Sequence, residues 1–75
     1  MTLSEKVKRL RERKGVPAYV AAYEAGVGIN QWTLLETYGL PPKRYKTRER
    51  IARYLGVSVE ELFGSPEPAQ EGVSV

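Results

Sequence analysis

The chain has 75 residues, 41% hydrophobic and 28% charged, with twelve Lys and Arg against nine acids and a formal charge of +3. That length supports one small core, predicted here as a single domain over residues 1–64 followed by a flexible tail, 65–75. There is no Cys, no His and no Asp, which leaves no basis for a disulfide framework, a zinc site, haem ligation or a histidine base, and so no expectation of an enzyme, a metal or a cofactor.

The pattern predicts five short helices and an all-α fold. Thr2 followed by Glu5 forms a capping box that opens helix one. Leu3, Val7 and Leu10 make its apolar stripe, and Gly15 ends it. Pro17 suits the first turn of helix two, which runs to Ala25 and stops at Gly26. Ala18, Ala21, Ala22 and Ala25 leave that helix small-sided, so a neighbour can approach closely. Gly26-Val27-Gly28 is a tight link into helix three, Ile29 to Tyr38, stopped by Gly39. Pro41-Pro42 forces an extended connection. Helix four buries Ile51, Ala52 and Leu55 and ends at Gly56. Ser58 and Glu61 form a second capping box, opening a last turn that inserts Leu62 and Phe63. From Ser65 onward the chain is polar, Pro-rich and without periodicity.

No apolar run approaches the ~20 residues that span a bilayer. No signal-peptide pattern opens the sequence, so the expected compartment is the cytoplasm, with no membrane partner.

The charge is segmental. Residues 1–14 carry six bases against two acids, a local +4, and residues 43–53 carry six against one, a local +5. Residues 15–42 contain no base at all. Such blocks are either solvated helix faces or a phosphate-binding footprint.

Helix, short Gly-containing turn, helix is the arrangement of a helix-turn-helix, whose second helix enters a DNA major groove. At 100° per residue, Trp32, Leu35 and Glu36 share one side of helix three. Asn30, Leu34 and Thr37 lie opposite, flanked by Gln31 and Thr33. Asn or Gln at this end of a helix pairs with adenine, and Thr contacts base edges or phosphate. Leu34 fits a thymine methyl or a protein partner, and equally needs no explanation as an isolated exposed residue. Trp32 is read as core.

Together these stretches resemble the phage-repressor/Cro (XRE) helix-turn-helix family over nearly all of residues 3–64. Leu10-Arg11-Glu12-Arg13-Lys14-Gly15 is similar to that family's helix-one ending. Gly26-Val27-Gly28 stands where the family usually has Gly-Val-Ser. The run from Ile51 through Leu55-Gly56-Val57-Ser58 to Glu61-Leu62-Phe63 resembles its last two helices. The resemblance implies a five-helix lambda-repressor-like DNA-binding domain. It also implies a structural ion pair between Arg11 and Glu36, with Ile29, Asn30, Thr33 and Leu34 facing bases, and Thr37, Lys43 and Arg44 facing phosphates. Ala18 replaces the family's Gln, and the outermost stripe of helix three carries no Arg or Lys.

The function expected from this reading is a sequence-specific double-stranded DNA-binding transcriptional regulator. Asn30, Thr33, Ile29, Leu34 and Gln31 are its base-contact candidates. Thr37, Lys43, Arg44, Lys46 and Arg48 are its phosphate-contact candidates. A homodimer on a palindromic operator follows from the few base pairs one domain touches. The alternative is a protein-interaction module on the same fold, an antitoxin-like partner or a phage-encoded modulator of a host complex. The base-free stretch, Leu34 and five tyrosines favour it, although some of those tyrosines are expected to supply core.

Overall fold

Five helices follow one another in the computed structural model, which describes residues 2–64: α1 (Leu3–Lys14), α2 (Ala18–Ala25), α3 (Ile29–Tyr38), α4 (Tyr45–Leu55) and α5 (Val59–Phe63). The predicted tail, 65–75, lies outside the described residues. Among those described there is no strand, and no helix is long and apolar enough to cross a membrane.

Local signals set the ends of these helices. Thr2 accepts from the Glu5 amide at 3.1 Å while the Glu5 carboxylate accepts from the Thr2 amide at 3.1 Å. Ser58 and Glu61 repeat this at α5, at 3.0 and 2.8 Å. Each box satisfies two amides that the first helical turn leaves without a carbonyl. Gly26 and Gly39, which bracket α3, sit in the left-handed region at φ 80° and 68°. There each supplies the reversal that lets the following amide, of Val27 or Leu40, bond back to Ala22 or Leu34. Pro17 stands one residue outside the expected first turn. It is the N-cap of α2, extended at ψ 164°, and its carbonyl accepts from Val20 and Ala21.

The core is built around Trp32. Its indole is 0% exposed and packs in one cluster with Val7, Ala21, Ala22, Ala25, Leu35, Ile51, Ala52, Leu55, Val59 and Leu62. The alanine face of α2 makes room for it, so a helix with no large core side chain still closes on α3. Truncating such an aromatic to Ala costs about 3–5 kcal/mol. A domain this small rarely has more than about 3–5 kcal/mol in total, so the whole fold rests on this residue.

The rim differs from expectation in two respects. Phe63 is only partly buried, under the Arg48 guanidinium at 5.6 Å from its ring centre, and Leu62 alone makes the full insertion. Of the tyrosines, only Tyr54 packs against the core, edge-on to Trp32 with ring centres 6.3 Å apart. Tyr19, Tyr23, Tyr38 and Tyr45 are exposed. The single indole and the aliphatic side chains already fill the interior, so the phenol rings remain outside.

Candidate nucleic-acid interface

The inward side of α3 is anchored through Glu36. Its carboxylate accepts from Arg11 Nε and Nη2, both at 2.8 Å, and from Trp32 Nε1 at 2.8 Å. Arg11 Nη1 also donates to the Val16 carbonyl at 2.8 Å, and Ser4 Oγ donates to the Glu36 carbonyl. The two charged side chains are mostly covered, at 15% and 13% exposure. A planar fork on a carboxylate fixes direction as well as distance, so the rotation of α3 about its axis is set against α1. The Arg11 fork, opposed by burial and helped by the indole, holds the Glu36 carboxyl below the usual glutamate value. The same hydrogen bonds push the Arg11 guanidinium further up.

Fixing that side turns the other outward. Ile29, Asn30, Gln31, Thr33, Leu34 and Thr37 are all exposed, Ile29 at 46% and Leu34 at 45%. Gln31 and Leu34 also wall an open groove of about 640 Å³ whose other side is the connection into α4. Leu40, Pro41 and Pro42 contribute its apolar wall, and Lys43, Arg44 and Thr47 its polar lip. The connection is held from behind by Arg48, whose Nε donates to the Pro42 carbonyl at 2.6 Å.

The helix ends around this surface lack side-chain caps, as does the start of α2. Neither Gly28 at α3 nor Arg44 at α4 gives a side-chain cap, and neither helix has an acid in its first turn. At α1 and α5, by contrast, Glu5 and Glu61 stand in the first turn and complete the caps. The positive ends of α3 and α4 are therefore left without a counter-charge from their own side chains.

Of the sequence-selected residues, the fold gathers Gln31, Leu34, Lys43 and Arg44 into one groove. Ile29, Asn30, Thr33 and Thr37 lie on the adjoining outer side of α3, and Lys46 is exposed on α4 without lining the groove. Arg48 is half-buried and holds the loop with its Nε. Sequence reasoning did not select Leu40, Pro41, Pro42 or Thr47. The Pro-Pro pair did announce an extended segment, and such a segment between helices has to wall something. Among the described residues no group of three His, Cys, Asp or Glu side chains converges as a metal site would require. No family model, no curated protein and no solved structure matches this chain.

Proposed function

We propose that this protein is a sequence-specific double-stranded DNA-binding regulator, with α2, the 26–28 turn and α3 as a lambda-repressor-like helix-turn-helix. The observation that carries the reading is the continuity of an exposed polar-apolar α3 face with a basic lip. That lip adjoins the positive ends of two helices without side-chain caps. On this reading α3 lies in the major groove, where Asn30 pairs with adenine N6 and N7. Gln31 and Thr33 add base-edge contacts, and Ile29 and Leu34 pack on thymine methyls. Thr37, Lys43, Arg44 and Lys46 take backbone phosphates, while Arg48 supports the loop and reaches phosphate only with its free Nη groups. Two copies on a palindrome provide the specificity that one domain lacks.

Selection from random duplexes followed by sequencing tests this directly, with an enriched palindrome as the expected product. Asn30→Ala should then weaken the selected site by about 1–3 kcal/mol and relax preference at one base pair. Lys43→Ala should weaken all sequences alike and reduce the salt slope by about one. Binding that ignores salt, or no binding to any duplex, refutes the proposal.

A second reading is favoured by one observation. Among the described residues, the seven exposed large hydrophobics (Tyr19, Tyr23, Ile29, Leu34, Tyr38, Leu40, Tyr45) all fall between residues 19 and 45. An apolar concentration of this kind suits a protein partner. Leu34→Lys separates the two: it abolishes a protein complex, but for a DNA binder it raises affinity for duplexes in general while changing the preferred sequence.

A further inference from the structure

Half of the first basic block, Lys6, Arg9 and Arg13, takes no part in the site described above. At 100° per residue, Ser4, Lys8 and Arg11 fall on one flank of α1. That flank is turned to α3, because Ser4 and Arg11 both bond to Glu36. Lys6, Arg9 and Arg13 fall on the opposite flank, roughly 170° around the helix. Since α3 turns Asn30, Leu34 and Thr37 away from α1, the two surfaces look in different directions. A straight duplex laid along α3 meets one of them and not the other.

Three of the block's six cations share this flank, with Glu12 at its edge. Two shallow grooves, of about 320 and 330 Å³, share Leu10 and Arg13, and Lys6, Arg9 and Lys14 complete the cations around them. No carboxylate lines either groove. Lys6 reaches the Glu61 carbonyl at 3.3 Å and Lys14 lies 4.4 Å over the Tyr54 ring. Glu5, one turn before Arg9, is occupied by its capping box. Arg9 and Arg13 form no ion pair or hydrogen bond among the described residues.

The floor selects the kind of partner. Leu55 is buried, and Leu10 and Val57 are partly buried against the core. None of the exposed large hydrophobics among the described residues lies on α1, so this flank gives an amphipathic peptide no anchor and presents its cations instead.

We infer that this flank of α1 binds the phosphate backbone of a second duplex, so that the protein bridges two DNA segments. The inference rests on the DNA-binding reading of α3. It is tested with the full chain, a bead-tethered duplex and a fluorescent duplex in solution, where retention of fluorescence requires a bridge. Two variants each remove two positive charges, Arg9→Gln/Arg13→Gln and Lys43→Gln/Arg44→Gln, and melting curves establish that each is folded. Both should lose retention. In a dilute titration of one duplex, the α1 variant should stay within about twofold of the parent while the α4-loop variant falls roughly tenfold.

Retention unchanged in Arg9→Gln/Arg13→Gln overturns the inference, as does a parent that binds one duplex and never bridges. In both cases the α3 reading stands. Equal loss of single-duplex affinity in the two variants places both blocks on one surface and also overturns it. If the parent binds no duplex at all, both readings fall together.

Discussion

Glu36 is the acceptor on which the orientation of α3 depends, and replacing it tests that dependence. Glu36→Ala leaves the Arg11 guanidinium without its fork and the fully buried Trp32 N–H without an acceptor. A stranded buried donor costs about 1–3 kcal/mol. Breaking a fully buried ion pair from one side costs about 3–5 kcal/mol. With the charged side chains 15% and 13% exposed, water relieves part of the second cost, leaving a total of about 3–5 kcal/mol. That equals the whole stability of a domain this size, so Glu36→Ala should be unfolded at room temperature. Glu36→Gln keeps an acceptor and the shape but loses the charge, and should lose about 1–3 kcal/mol.

Urea unfolding followed by Trp32 fluorescence gives the Glu36→Gln value, and Glu36→Ala should show no folded baseline in the same assay. Because the native carboxyl is held below its usual 4.5, its contribution is complete above that pH and disappears as the pH falls through the native value. The difference between parent and Glu36→Gln should therefore shrink in acid. Arg11→Met/Glu36→Leu should be less damaging than the sum of its single changes. The reasoning is refuted if Glu36→Gln costs under about 0.5 kcal/mol, a surface-substitution value, and the difference does not change with pH.

Two further outcomes follow from the geometry. Gly28 has ordinary extended angles, φ −72° and ψ 151°, and an added Cβ meets nothing within 4 Å. Gly28→Ser and Gly28→Asp should both raise the melting temperature through a new cap, by a few tenths to about 1 kcal/mol. Only the Asp variant should weaken duplex binding, through its charge at the α3 terminus. Equal binding by the two removes that terminus from the interface. Tyr54 donates to Glu24 at 2.6 Å, and burial, together with that carboxylate, pushes its phenol up to about 12. A difference titration of phenolate absorbance against Tyr54→Phe should find that midpoint. The stabilisation Tyr54 provides is complete below pH 10 and is lost as the pH rises toward 12. A midpoint near 10 refutes the assignment.

The candidate site was legible in uneven measure. Periodicity puts Trp32, Leu35 and Glu36 on one side of α3 and Asn30, Leu34 and Thr37 on the other, and in the fold the first three are covered and the last three exposed. The Arg11–Glu36 contact spans 25 positions and came from resemblance, since no local spacing encodes it. Lys43 and Arg44 were visible as charges, but their share in a groove with Gln31 and Leu34 was not. Arg48 looked equivalent to its neighbours, and only the packed loop distinguishes it.

What the sequence determined by itself is where α1 and α5 begin and where α1 to α4 end. Thr2 with Glu5, Ser58 with Glu61, and the glycines after α1 to α4 act through hydrogen bonds within a few residues, so their outcome needs no distant partner. Burial belongs to neighbours rather than to a residue, and there the tertiary structure decided. Five similar tyrosines divide into one at the core rim and four outside because a single indole had already filled the space against the α2 alanines. The same packing divides the first basic block, turning Arg11 onto Glu36 and leaving Arg9 and Arg13 unpaired among the described residues, which their order along the chain does not reveal.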